Sequence, residues 1–269
     1  MINNKVKKIC IIIKKPSKIL TFFIDKFGKK ISYLFRNKSF FLQGQMDINP
    51  LSIWYKPEFI SLTGGFLPKE NSSKREIVDL EPWDNTRRDM LLLILRTILE
   101  RNIIGEMAEL GVYKGNTAKL IHKFIPERKL HLFDTFEGFT EKSVEKEKKH
   151  TGLKIEKTHF SDTNLKYVKE NINPNENVFF YPGLFPQNLP KNFDLIKFAF
   201  VHLDADLFDP TYHALGLFYE KMVKSGIIVI HDYNSWPGAR TAVDTFFKDK
   251  PEIPLPMPDK SGSVVIIKQ

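Results

Sequence analysis

The sequence predicts an α/β protein built on a doubly wound, mostly parallel sheet, and two observations carry that expectation. From about residue 84 onward, apolar runs of strand length alternate with segments of helical periodicity. Two of those runs, 197–204 (KFAFVHLD) and 226–230 (GIIVI), are almost continuous in apolar residues, the pattern of strands covered on both faces. With 269 residues, 42% hydrophobic and 13% aromatic, the chain can fill such a core, which excludes global disorder. A single cysteine, Cys10, excludes a disulfide framework and a cysteine-based zinc cluster, and fits a reducing, cytoplasmic setting.

Before that alternation lies a stretch of another character. The chain carries a net charge of +9, yet residues 1–45 hold ten lysines and Arg36 against Asp25, a local +10. The other 224 residues therefore sum to −1, so the body lacks the basic surface that would track a nucleic acid. The apolar run at 9–13 is too short for a signal peptide and is followed at once by Lys14 and Lys15. After Pro16, Leu20, Phe23, Ile24, Phe27, Ile31, Leu34 and Phe35 recur at three- and four-residue steps, which predicts a basic amphipathic helix. Residues 1–45 are expected to be an extension and 46–269 the domain. Peripheral contact with an anionic membrane through residues 5–36 is one reading, and packing on the domain or a second subunit is the other. No run of eighteen uncharged apolar residues occurs, so no membrane-spanning helix is expected.

The body's elements follow in order. Residues 87–100 (RRDMLLLILRTILE) read as a helix, and 105–110 (GEMAEL) as a strand meeting a glycine turn at 111–115. A helix is expected over 116–124 and a second strand over 129–134 (KLHLFD). The Lys- and Glu-dense stretch 141–157 reads as a solvated face or lid without chemistry of its own. Helix 164–171 leads to strand 177–181, then to strand 197–204, helix 210–223, strand 226–230 and helix 239–247. Pro-rich residues 251–258 precede a last strand at 263–267.

In a doubly wound sheet, ligands bind beyond the carboxyl ends of the strands, so the residues ending each strand are the candidates. The first strand ends in Glu109-Leu110-Gly111-Val112-Tyr113-Lys114-Gly115, where Gly111 and Gly115 allow a tight turn and a close ligand approach. The missing G-x-G-x-x-G counts against a dinucleotide. Asp134 ends the second strand and serves either as a ribose acceptor or as a turn cap. Two further strands end in acids, Asp204 and Asp206 in one, His231-Asp232 in the other. Neighbouring parallel strands would bring Asp204, His231 and Asp232 to one rim, a donor set suited to Mg²⁺ or Mn²⁺. His131 and His202, inside apolar strands, read as satisfied core residues, and neither G-x-S-x-G nor H-E-x-x-H is present.

Taken together, these motifs resemble the macrocin O-methyltransferase (TylF/MycF) family over about residues 80–250. The likeness rests on the 109–115 turn, Asp134-Thr135-Phe136-Glu137-Gly138, Phe160-Ser161-Asp162-Thr163, His202-Leu203-Asp204-Ala205-Asp206-Leu207-Phe208 and His231-Asp232-Tyr233. The resemblance implies a seven-stranded class I methyltransferase (Rossmann-like) sheet with an antiparallel last hairpin, and S-adenosylmethionine as cofactor. By resemblance, Glu109, Gly111, Tyr113 and Gly115 would line its methionine end. Asp134, Thr135 and Phe136 would hold the ribose, and Ser161 and Asp162 would meet adenine. Asp204 would be metal ligand and general base, and Asp232 a second ligand. His231 departs from the family's usual aspartate there, which favours Mn²⁺ over Mg²⁺.

The implied activity is metal-assisted O-methylation of a sugar hydroxyl, on a surface glycan or a natural-product glycoside. The alternative is a membrane-associated scaffold with a degenerate site. The partners expected are a small-molecule or glycan sugar, with a homo-oligomer allowed and no nucleic acid. Substrate choice is expected to reside in 46–83, 139–160 and 251–258.

Overall fold

The computed structural model describes residues 84–269, and the expected boundary at residue 45, the helix within 5–36 and the 46–83 segment lie outside them. The order is α1 (Asn85–Glu100), β1 (Glu106–Leu110), α2 (Asn116–Phe124), β2 (Leu130–Asp134), α3 (Glu141–Thr151), α4 (Leu165–Ile172) and β3 (Val178–Pro182). Then come β4 (Phe198–Leu203), α5 (Phe208–Lys221), β5 (Met222–Ile230), α6 (Pro237–Phe247), β6 (Leu255–Pro256) and β7 (Val264–Ile267). Within 84–269 the predicted strands and helices are present with ends shifted by a few residues. The largest shift is at β5, which starts at Met222 because that residue is already extended (φ −65°, ψ 138°).

The seven strands form one sheet in the order β3-β2-β1-β4-β5-β7-β6, parallel through β5 and antiparallel at β7 and β6. From β1 the chain winds one way through β2 and β3, and the other way through β4 and β5. The β1–β4 border is therefore the switch point. Helices α1, α2 and α4 contact one another as one group, α3, α5 and α6 as a second, and β4 is packed by α1 and by α5. All six residues of β4 are buried, as its apolar sequence, broken only by His202, requires. Beside them Phe133, Phe193, Phe198 and Phe218 form an aromatic core, with the Phe198 and Phe218 rings edge to face at 5.2 Å.

The register makes the strand ends level. Leu110 pairs with Leu203, and Leu203 with Ile230. The next amides continue the ladder, Asp204 N donating to Leu110 O and His231 N to Leu203 O, each at 2.8 Å. Gly111, Asp204 and His231 thus emerge side by side from three adjacent strands. At Gly111 the backbone is left-handed (φ +84°), and a Cβ there would sit 1.9 Å from the Asp204 carbonyl oxygen. Main chain cannot yield as a flexible side chain can. Gly111→Ala is therefore expected to cost about 3 kcal/mol or more and lower Tm by roughly 6–12 °C, read in a thermal melt.

Candidate active site

One cavity of about 710 Å³ opens over this edge of the sheet. Its floor is a set of strand-end turns, and four of these turns hold a non-glycine residue in the left-handed region: Tyr113 (φ 48°), Phe136 (φ 57°), Asp206 (φ 58°) and Asp232 (φ 60°). Such backbone persists only where surrounding contacts dictate it, and it concentrates at functional sites.

On the β1–β2 side, Asp134 organises the turn. Its Oδ2 accepts from Val112 N at 2.6 Å and Tyr113 N at 2.9 Å, and its Oδ1 from Phe136 N at 2.7 Å. Of the two roles open to this acid in the sequence, turn cap is the one seen. Glu109 lies beneath, 1% exposed, with Oε1 bonded to His202 Nδ1 at 3.0 Å and Oε2 without a partner among the described residues. Burial, reinforced by the nearby Asp204 charge, pushes its carboxyl well above the usual range.

On the β4–β5 side, a row of alternating charge runs along the floor. His231 Nδ1 lies 2.9 Å from Asp204 Oδ1 and 3.2 Å from Asp232 Oδ2. Arg87 Nη2 donates to Asp204 Oδ2 at 2.6 Å. Burial opposes charge on His231, but Asp204 outweighs it and raises the imidazole to about 10. Burial alone would raise Asp204; the His231 and Arg87 charges overcome it and hold the carboxylate below its ordinary range. Asp206 moves the other way: burial, with the nearby Asp204 charge and a hydrogen bond to Asp232, pushes its carboxyl well above the usual range.

Arg87 is the principal residue that sequence reasoning missed. It lies on the buried stripe of α1 with Leu91, Leu95 and Ile98, and an arginine on an apolar stripe at a helix start was the available signal. The 141–157 stretch is corrected as well. Its first part is helix α3, whose Lys142, Ser143 and Lys146 line the cavity, and whose Glu147 is 1% exposed. Glu147 Oε2 accepts from Phe208 N at 2.8 Å, tying α3 to the start of α5.

The structure brings Glu109, Gly111, Tyr113, Asp134, Thr135, Asp204, His231 and Asp232 to this one cavity. Four other expected residues are not among those lining it. Gly115 caps α2, where a Cβ would press within 3.0 Å of Val168 and Ile172 of α4. The Phe136 side chain is buried under the floor. Ser161 turns its hydroxyl to Thr158 O, and Asp162 is held outside by Lys114 Nζ (2.5 Å) and the Tyr113 hydroxyl (2.6 Å). Phe160 is the member of that motif on the cavity wall, its ring 5.1 Å from Tyr113 and 5.4 Å from Phe139. As expected, His131 and His202 are partnered within the core, His131 with Tyr181 and Glu106.

A seven-stranded sheet of this order, with its strand-end turns around one cavity at the switch point, defines a class I methyltransferase architecture. Solved structures of the same shape include the O-methyltransferase NovP (TM-score 0.61, 20% identical, covering 79% of this chain and 88% of that one). Another is the calicheamicin methyltransferase CalS11 (TM-score 0.55, 18% identical, covering 78% and 88%). The sequence model of the macrocin-O-methyltransferase (TylF) family matches residues 84–267, and the chain belongs to that family. Demethyldecarbamoylnovobiocin O-methyltransferase of Streptomyces niveus is 25% identical over 162 residues, 55% of this chain and 60% of that protein. An 8-demethyl-8-(2,3-dimethoxy-α-L-rhamnosyl)-tetracenomycin-C 4'-O-methyltransferase of Streptomyces olivaceus is 25% identical over 157 residues with the same coverage. The match thus spans three fifths of these curated relatives.

Burial raises the Glu147 carboxyl above its unfolded value, so the folded protein binds the proton more tightly than the unfolded chain. Stability from this group is full at low pH and declines as pH rises above about 4.5, where the unfolded glutamate ionises. Glu147→Gln should consequently be more stable than wild type at pH 8 and lose that advantage toward pH 4, measured by denaturant unfolding across pH.

Proposed function

We propose that this protein transfers a methyl group from S-adenosylmethionine to a sugar hydroxyl, on a natural-product glycoside or a surface glycan. The observation that carries the reading is the division of one cavity into two chemically distinct ends. Glu109 and the Gly111 turn form one end, and Asp204, His231 and Asp232 the other. The name of one relative, a rhamnosyl-tetracenomycin-C 4'-O-methyltransferase, supports a glycoside as the acceptor.

The first end fits the cofactor. A ligand ammonium beside Glu109 would compensate a buried carboxyl oxygen that has no partner among the described residues. Gly111 keeps the adjacent wall free of a side chain. Asp134 has much of its capacity committed to backbone amides, so it suits one ribose hydroxyl at Oδ1 rather than a pair. Tyr113, Phe139 and Phe160 offer aromatic surface for adenine, a role the sequence had given to Ser161 and Asp162.

The second end suits a divalent cation. Asp204, His231 and Asp232 each offer a ligand atom within 4.8 Å of the others. The 2.9 and 3.2 Å contacts are hydrogen bonds of the His231 imidazole, so a bound cation would have to displace its Nδ1 proton before His231 could serve as a ligand. The mixed nitrogen and oxygen donors favour Mn²⁺ over Mg²⁺. When bound, such an ion would make a coordinated hydroxyl more acidic.

This chain's own contribution is orientation and proton acceptance. Asp204 would accept a hydrogen bond from the hydroxyl and set its oxygen in line with the sulfonium methyl, at about 3 Å. As the carbon–oxygen bond forms and the carbon–sulfur bond breaks, the hydroxyl becomes oxonium-like and strongly acidic. A carboxylate weakened by two cationic neighbours is then still basic enough to take that proton. The products are a methyl ether and S-adenosylhomocysteine.

Asp204→Asn should bind S-adenosylhomocysteine within a few-fold of wild type in calorimetry, yet lose about 10³-fold in methyl transfer to a panel of glycosides and nucleotide sugars. Retained turnover removes Asp204 from the reaction. No cofactor binding by wild type brings the scaffold alternative forward. Chelation followed by Mn²⁺ or Mg²⁺ add-back tests the cation.

For residues 5–36 we infer salt-sensitive contact with an anionic membrane, on charge and periodicity alone. Reversing Lys7, Lys8, Lys14 and Lys15 to glutamate should abolish co-sedimentation with phosphatidylserine vesicles. Unchanged sedimentation ends that reading.

A further inference from the structure

Arg87 joins the two ends of the cavity. It is 6% exposed and reaches from α1 to the end of β4. Its Nη2 sits 2.6 Å from Asp204 Oδ2, 3.4 Å from His202 Nε2 and 3.5 Å from Thr117 Oγ1. A guanidinium only donates, so His202 must accept at Nε2 and carry its proton on Nδ1. That Nδ1–H then donates to Glu109 Oε1 at 3.0 Å. His202 is fully buried. The outcome is a continuous run of polar contacts, Glu109–His202–Arg87–Asp204–His231–Asp232, from the cofactor end to the acceptor end.

Three features set Arg87 apart from a surface ion pair. Both partner chains of atoms are supplied by the sheet, Asp204 and His202 lying two residues apart on β4 and the loop that follows it. Asp204 is held at both oxygens, by Arg87 at Oδ2 and His231 at Oδ1, which leaves its carboxylate plane little freedom. A buried arginine stranded without this acid would be costly, and Arg87 Nη2 makes all three of these contacts.

We propose that Arg87 is the positioning residue of this site, clamping Asp204 toward the acceptor from a base it shares with His202 and Glu109. The kinetic part rests on the methyl-transfer reading above; the structural part does not.

The test uses the full chain with Arg87→Met and Arg87→Lys. Crystal structures read the clamp without turnover: in R87M, Asp204 should leave its rotamer and lose the 2.9 Å contact to His231. An unmoved Asp204 overturns the proposal. In kinetics with methyl α-L-rhamnoside as acceptor, R87M should lose about 100-fold in kcat with KM for the sugar within about threefold. R87K, which keeps the charge, should recover about tenfold of that loss. A kcat within threefold of wild type in R87M, or a loss carried by KM alone, also overturns it. Should R87M fail to fold, R87K decides, since a displaced Asp204 with about tenfold lower kcat is expected there too. Wild type that binds no S-adenosylhomocysteine sinks the methyl-transfer reading and leaves the crystallographic arm standing.

Discussion

An ionised carboxylate at the end of a fully buried strand is the constraint around which this molecule is arranged. β4 offers six buried positions, five of them apolar, and then delivers Asp204 at the border where the sheet reverses direction. Leaving that charge uncompensated would cost several kcal/mol. The surrounding sequence answers with two cations from different elements, Arg87 from the first described helix and His231 from the neighbouring strand. A second acid, Asp206, has its carboxyl pushed well up by burial and by Asp204, which eases the accumulation of negative charge along the row. The level register of β1, β4 and β5 makes this possible, because only residues that follow paired positions emerge next to one another.

The same register explains why the cavity has two ends. β1 and β2 bring a glycine turn and a carboxylate that is mostly occupied by backbone amides, a surface of main-chain groups. β4 and β5 bring side-chain charge. Helix α3 closes the mouth between them, held by a buried glutamate and by stacking of His150 on Phe208 at 4.5 Å. A cofactor that presents an amino acid at one side and a reactive methyl at the other suits such a division, as does an acceptor that presents hydroxyls.

Much of this was legible in the residues. Apart from α3 and the two-residue β6, alternating apolar runs and helical stripes placed the strands and helices of 84–269 within a few positions, because buried parallel strands must be apolar throughout and amphipathic helices cannot disguise their period. The acids ending β4 and β5 stood out because polar termini on apolar strands are expensive. What stayed hidden depended on distance in the chain. Arg87 and Asp204 are 117 residues apart, and nothing local to the arginine names its partner. The 141–157 stretch looked solvated by composition, since one buried glutamate among lysines does not alter the average. Asp162 sits in a motif that resembles a ligand-binding one, yet Lys114 and Tyr113 claim it on the outer side of the turn.

The left-handed conformations of Tyr113, Phe136, Asp206 and Asp232 carry a consequence for the protein's capacity to change. Each costs the folded chain on the order of 1 kcal/mol relative to a relaxed backbone. Selection for heat tolerance would favour glycine at these turns, while selection for a fixed floor opposes the flexibility glycine brings. Adaptation to temperature and precision of the chemistry therefore compete at the same few positions. Lineages that warm must find their extra stability elsewhere, in the helices and outer loops, and leave these turns alone.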